Sequence, residues 1–276
     1  MNISIDPLST AQTPKTVGWY QPRLQQLPTP TLELFLQYVG MESEDAIREH
    51  VSNVRDKAWE IHSYPCIGLF RFLNFSINLS PVYPQVLDRV REGQTLLDLG
   101  CCFGQDLRKI AFDAGVSASN LIEADIESSF IQLGYDLFQD KDTFQARFVT
   151  GSIFDGLLVE RRGTIDMIHM GSFLHLFSFE EQQTIVTRLS ELLVPSAGSL
   201  VFGRTIGALE GGEFFMKSLG WNMFRHSQQT MRELWGSEWE VHCQLDEYKA
   251  AGLNEEMGEW QDAATKQMTF WIVNTG

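Results

Sequence analysis

The stretch "LLDLGCCFGQDLRK", residues 96–109, decides how the chain is read. A short apolar run carries Asp98 and ends in a turn, with Gly100 and Gly104 at the turn's edges and Cys101–Cys102 inside it. A helical pattern follows at once. Strand, glycine turn and helix in this order make a cradle for a ligand at a helix start. Three ligands compete for it: a dinucleotide, a different adenosine-bearing cofactor, or a metal.

The cysteines dispose of the metal. The chain has four, Cys66, Cys101, Cys102 and Cys243, and they form no CxxC or Cys/His cluster with zinc-ligand spacing. They read as small, reduced, mostly buried side chains.

Working outward, the texture beyond the turn alternates strand and helix. "QTLLDLG" is a strand, "QDLRKIAFDAG" a helix stopped by Gly115, "NLIEADI" a second strand and "SSFIQLGYDLFQD" a second helix. "ARFVTGSI" and "TIDMIHMG" are the third and fourth strands. "SFEEQQTIVTRLSELL" is a helix with Ser178 and Glu181 as a capping box and Ile185, Leu189, Leu192 and Leu193 on one face. "PSAGSLVFGRTI" supplies the fifth strand. "EWEVHCQL" puts Trp239, Val241, Cys243 and Leu245 on one side, and "QMTFWIVN" is a final strand. This order predicts an α/β fold: a Rossmann-like doubly wound sheet, mostly parallel with an antiparallel C-terminal strand.

Upstream, residues 1–30 read as an irregular, Pro/Thr/Gln-rich arm, and 31–94 as a helical cap on a core spanning 95–276. In the cap, Ser43 is an N-cap, Ile47, Val51, Val54, Trp59 and Ile61 form an apolar stripe, and "SPVYPQVLDRVREG" is a helix ending at Gly93. "YPCIGLFRFLNFSI" packs the cap onto the core. The segment "GALEGGEFFMKSLGWNMFRHSQQTMRELWG" is expected either as an amphipathic helix on the sheet or as a wall of an apolar pocket.

In such sheets the ligand lies beyond the carboxyl ends of the strands, beside the first one. A dinucleotide fingerprint needs a middle glycine where Cys102 stands, so that backbone can approach the pyrophosphate. Asp98 would repel a pyrophosphate and attract an ammonium group. Asp125, at the end of the second strand, suits a hold on ribose hydroxyls. Two acids so placed describe a cationic amino-acid nucleoside.

"LLDLGCCFGQDLRKI", "LIEADIESSF", "FVTGSIFD" and "IDMIHMGSFLHLFSFEEQ" together resemble the class I S-adenosylmethionine-dependent methyltransferases, over roughly residues 95 to 205. The double-cysteine loop, the helical N-terminal region and the length are most similar to the small O-methyltransferases of fungal meroterpenoid pathways, which methylate the carboxyl group of a farnesylated polyketide acid. The resemblance implies S-adenosylmethionine as cofactor. It places Asp98 and Gly100 along the methionine side, with Cys101 and Gly104 also cofactor-binding, and Asp125, flanked by Ala124 and Ile126, on the ribose and adenine. Many relatives read Gly-Asp where this chain has Gly151–Ser152, so Ser152 and Ile153 would meet the adenine, with Asp155 as a substitute charge. His169 and Met170 would lie near the methyl group, His169 as an orienting donor or base ahead of His175. Arg204 and Arg225 are candidates for pairing with an acidic head group.

A carboxylate acceptor is ionised at neutral pH and needs no base, whereas a phenol of pKa near ~10 does. Phenol or hydroxyl methylation is the nearer alternative, a NAD(P)-dependent oxidoreductase the more distant one, and a non-catalytic binding module of the same fold a third. The 276-residue chain carries a net charge of −15 from 36 acidic and 21 basic residues, which argues against nucleic acid as a partner. Its apolar fraction, 43 %, is ordinary for a globular chain, and no uninterrupted apolar run has the ~20 residues of a membrane span. The opening residues do not read as a secretory signal, so the cytoplasm is the expected compartment.

Overall fold

The computed structural model describes residues 13–216, 221–247 and 264–276. A seven-stranded sheet in the order β3-β2-β1-β4-β5-β9-β8 organises it. The strands β1 (Leu96–Leu99), β2 (Leu121–Asp125), β3 (Arg147–Thr150), β4 (Met167–Gly171) and β5 (Leu200–Ala208) pair in parallel. β9 (Thr265–Asn274) enters antiparallel between β5 and β8 (Trp239–Glu247). The chain winds outward from β1 to β3, then returns across it to β4, which makes the β1/β4 boundary the topological switch point.

The local signals place the helices. α5 (Gln105–Ala114) ends at Gly115 in the left-handed conformation, and α7 (Phe179–Leu192) opens with the Ser178/Glu181 capping box. α6 (Ser128–Phe138) returns from β2. Ahead of the sheet come α1 (Thr29–Leu34), a turn of π-helix at Phe35–Val39, α2 (Glu44–Ile61), α3 (Pro65–Gly68) and α4 (Tyr83–Arg91). Ser43 Oγ accepts from Ala46 N, and Ile47, Val51, Val54 and Trp59 are buried as the stripe predicts, with Ile61 half-buried. The irregular stretch before α1 is packed, not loose, over its described part: Trp19 Nε1 donates to Ser63 O at 3.1 Å. Residues 1–12 of the predicted arm lie outside the described residues.

The helical cap has no core of its own. Phe35, Val51, Val54, Phe70 and Phe72 form one cluster with Phe103, Phe130, Leu137 and Phe138 of the sheet domain. A buried ion pair joins the same parts. Arg108, fully enclosed, donates from Nε and Nη2 to Asp140 at 2.7 and 3.0 Å, and Tyr38 Oη of the cap donates to that carboxylate at 2.8 Å. An enclosed charge of this kind is tolerated only because its partners are complete.

The segment after β5 differs from the helix expected there. It forms a two-stranded antiparallel hairpin, β6 (Gly212–Met216) and β7 (Trp221–Arg225), and only then a helix, α8 (Gln228–Trp235), whose N-cap is Ser227. The apolar residues there run consecutively in places, Phe214–Phe215 and Met223–Phe224, so period alone cannot separate strand from helix, and the pairing of β6 with β7 selects the strand. Residues 217–220 at its tip lie outside the described residues.

Candidate active site

The glycine turn is held from below by β2. Ala124 O accepts from Gly100 N at 2.8 Å and from Cys101 N at 3.1 Å. Cys102 takes the left-handed conformation, φ 54°, where a glycine would be unstrained. That twist aims its N–H at Asp125 Oδ2, 2.8 Å away, while Oδ1 accepts from Glu127 N at 3.0 Å. Burial raises the pKa of Asp125, and the N–H groups of Glu127 and Cys102 oppose the shift. Each oxygen keeps acceptor capacity for a further donor. Beside it Ile126 is 61 % exposed, a bare apolar platform, whereas Ala124 is buried and contributes its backbone.

Gly104 is required where it stands: φ is 64°, and a Cβ there would lie 2.2 Å from a carboxylate oxygen of Glu123. Glu123 is enclosed beneath the turn, its carboxyl pushed up to about 8 by burial with Arg108 opposing. Gly100, φ 74°, is covered by Phe173, whose ring would stand 2.6 Å from a Cβ at that position.

Asp98 and His169 face each other across the switch point, in register on β1 and β4, both buried. His169 Nδ1 lies 2.7 Å from Asp98 Oδ1, and its Nε2 lies 3.2 Å from Ser76 Oγ. Ser76 Oγ donates to Asp106 Oδ2 at 3.2 Å, and Asp106 Oδ1 accepts from Ile77 N at 2.9 Å. Burial disfavours charge on His169, but Asp98 and then Asp106 hold its pKa above the ordinary value. The expectation of His169 as a donor or base toward the acceptor therefore meets a ring with both nitrogens engaged and no exposed surface. Although the sequence spacing suggested no metal ligands, Asp98, Asp106 and His169 bring one ligand atom each within 4.8 Å of one another. Nothing in the sequence joins Ser76 and Asp106 to this site, because β-sheet register and cap docking bring them in.

Past β3, Ile153 is buried in the core, Ser152 Oγ caps the next turn by accepting from Phe154 N at 3.1 Å, and Asp155 is exposed. Met170 is enclosed within the sheet core.

Beyond β4 the lining turns aromatic and cationic. Phe173, Phe177 and Phe154 pack ring to ring at 4.9 and 5.6 Å. His175 is buried, its Nδ1 3.1 Å from Thr205 Oγ1. Its pKa falls to about 3, first through burial and then through the positive charges of Arg71, Arg225 and Arg204. Arg71 comes from the cap. Arg204 sits on β5 opposite Gly171 and donates to Asn74 O at 3.2 Å. Arg225, on β7, lies 3.6 Å over the Phe214 ring and donates to Thr265 Oγ1 at 3.2 Å.

The strand order, the ligand-end acids and the glycine turn define the class I methyltransferase fold. Solved structures agree. One is phosphoethanolamine N-methyltransferase 2 of Haemonchus contortus in complex with S-adenosyl-L-methionine, at TM-score 0.54 and 13 % identity over 81 % of this chain; the chain covers 60 % of that protein. Another is a putative sarcosine dimethylglycine methyltransferase from Galdieria sulphuraria, at TM-score 0.52 and 11 % identity, covering 70 % and 85 %. Residues 19–73 match the model of the meroterpenoid methyltransferase N-terminal domain. The chain is 37 % identical to the O-methyltransferase atr3 of Stereocaulon alpinum over 94 % of its own length and 76 % of that protein. It is 35 % identical to the Asnovolin E/Chermesin D methyltransferase nvfJ of Aspergillus novofumigatus, over 84 % of each. The chain belongs to the S-adenosylmethionine-dependent methyltransferases, in the family of fungal meroterpenoid O-methyltransferases. Among the described residues no helix is long and apolar enough to cross a membrane.

Proposed function

We propose that the chain transfers a methyl group from S-adenosylmethionine to the carboxylate of a small, largely apolar acid, giving a methyl ester in secondary metabolism. A farnesylated polyketide acid of a meroterpenoid pathway, handled in the cytoplasm, fits that description. The observation that carries the reading is that the positive charges of Arg71, Arg204 and Arg225, far apart in the chain, all act on the buried His175, whose pKa they and burial lower to about 3. Positive charge converging next to Phe173 and Phe177, in a chain of net charge −15, suits an anionic head on an apolar body.

The cofactor supplies the transferable methyl group, and the residues present fit it. Asp98 Oδ2 is buried without a hydrogen-bond partner, ready to accept from an ammonium group. Asp125 is set for ribose hydroxyls, Ile126 offers an apolar face for adenine, and Gly100 and Gly104 carry no side chain at the turn's two edges. We assign residues 31–94 as the cap over this site and 95–276 as the domain that binds the cofactor.

The chain's own work is positioning. The arginines fix the carboxylate, already ionised at neutral pH, so that one oxygen lines up with the methyl carbon; the phenylalanines exclude water. No base is called for, and none is well placed. His175, with a pKa of about 3, is too weak to deprotonate a phenol, and both nitrogens of His169 are engaged. This favours the ester over phenol methylation.

The test has two arms. Calorimetry with S-adenosylhomocysteine, NADH and NADPH in parallel should give micromolar binding of the first alone. Prenylated aromatic acids and their phenolic analogues should then be offered as acceptors. Methylation of the phenols in preference to the acids would overturn the carboxylate reading.

A further inference from the structure

The hydrogen bonds around His169 restrict where its protons can sit. Asp106 Oδ1 accepts from Ile77 N at 2.9 Å, and Oδ2 accepts from Gln105 Nε2 at 3.1 Å, so this carboxylate acts as an acceptor throughout. Ser76 has one hydroxyl hydrogen, and against such an acceptor it must donate to Oδ2. Ser76 oxygen is then left to accept from His169 Nε2–H, while Nδ1–H donates to Asp98 Oδ1. With Asp98 ionised, both ring nitrogens carry a proton and the ring is an imidazolium; burial pushes the Asp98 carboxyl up, and the charge and hydrogen bond of His169 oppose that shift. Asp98 of β1, Asp106 of α5 and Arg204 of β5 are the charged groups that act on the ring, and the Phe202 ring lies 5.2 Å away.

The arrangement has two ends. At one, the second oxygen of Asp98 is buried and has no hydrogen-bond partner among the described residues. At the other, Ser76 and Ile77 belong to the segment that closes the cap, and both are anchored to Asp106. The geometry points to His169 as a positioning residue: a buried imidazolium that holds the Asp98 carboxylate toward the cofactor's ammonium group and pins cap residues 76–77 to the same charge relay, so that cofactor binding and cap docking are coupled. The inference rests on S-adenosylmethionine binding over Asp98, but the proton count on the ring does not.

The first test is therefore made without cofactor. Long-range ¹⁵N–¹H spectra of the whole chain labelled at histidine, with His169 identified through its loss in His169→Asn or its shift in Ser76→Ala, should show both ring nitrogens protonated at pH 7.5. A neutral ring at that pH overturns the assignment, as does a ring signal that added Mg²⁺ or Zn²⁺ displaces, since the trio would then be a metal site. The second test is calorimetry with S-adenosylhomocysteine. Ser76→Ala should weaken binding by about fivefold, and His169→Asn by about tenfold or more, with unchanged circular dichroism as the fold control. Amide exchange at residues 71–80 should slow on adding S-adenosylhomocysteine to the wild type and not to Ser76→Ala. If the wild type binds and Ser76→Ala matches it in affinity and protection, the coupling is wrong. If the wild type fails to bind, the cofactor reading fails and the proton state of His169 stands by itself.

Discussion

The two ends of the crevice are built in different ways. The cofactor side, from Asp98 to Asp125, is nearly contiguous: one turn and the strand beside it, tied by Ala124 O and the Cys102 N–H. It is acidic, with Asp98, Glu123 and Asp125 grouped beneath and beside the turn. The acceptor side draws Arg71 from the cap, His175 from the loop after β4, Arg204 from β5 and Arg225 from the hairpin, and it is cationic. The proposed pairing of a cationic cofactor with an anionic acceptor fits this division. Local sequence can encode the first end, whereas the second exists only once the cap and the hairpin have docked on the sheet.

The largest effect should come from separating the two ends. Asp125→Ala removes both the ribose acid and the anchor of the Cys102 N–H, and calorimetry should record a loss of at least about 100-fold in S-adenosylhomocysteine affinity. Arg204→Gln should leave that affinity unchanged and raise the acceptor KM roughly 50-fold, the scale for truncating one partner of a desolvated charge pair. If Arg204→Gln weakened cofactor binding equally, the two ends would not be distinct. Next in size is a pH effect confined to the acceptor side. His175 is held at about 3 when folded against an ordinary value near 6.5, so below pH 6.5 the unfolded chain binds a proton that the folded chain refuses. Its contribution is present above pH 6.5 and lost on acidification, by about 2 kcal/mol at pH 5. Denaturant titration should show the stability gap between wild type and His175→Gln narrowing by that amount from pH 7.5 to pH 5. The smallest change belongs to the cofactor side. Cys102→Gly relieves a left-handed non-glycine residue and should stabilise the chain by about 1 kcal/mol, visible as a raised Tm with S-adenosylhomocysteine affinity kept within about twofold.

What could be read in advance follows the same line. The Ser43 and Ser178 caps, the Gly115 stop and the alternation of Trp239, Val241, Cys243 and Leu245 were all legible, because each rests on contacts within a few residues. The hairpin was misread: Phe214, Phe215, Met223 and Phe224 fit either period over so short a run, and only pairing across the turn selects the strand. For the site, Asp98 and Asp125 could be picked out from their places at strand ends. His169 could be found but not understood. Its role depends on Ser76, a loop serine distant in the chain, and on Asp106, which alone looks like an ordinary first-turn helix acid.

By itself, then, the sequence determined the order of strands and helices, the glycine turn with its two acids, and hence the class of cofactor, since period, capping and turn chemistry act over distances the chain spans locally. Tertiary structure alone decided the hydrogen-bond partners of His169, the enclosure of Glu123 beneath Gly104 and the convergence of the charges of Arg71, Arg204 and Arg225 on His175. Those depend on burial and on register between elements far apart in the chain, and a group's charge and hydrogen-bonding capacity change only when water is removed and partners are brought in from elsewhere.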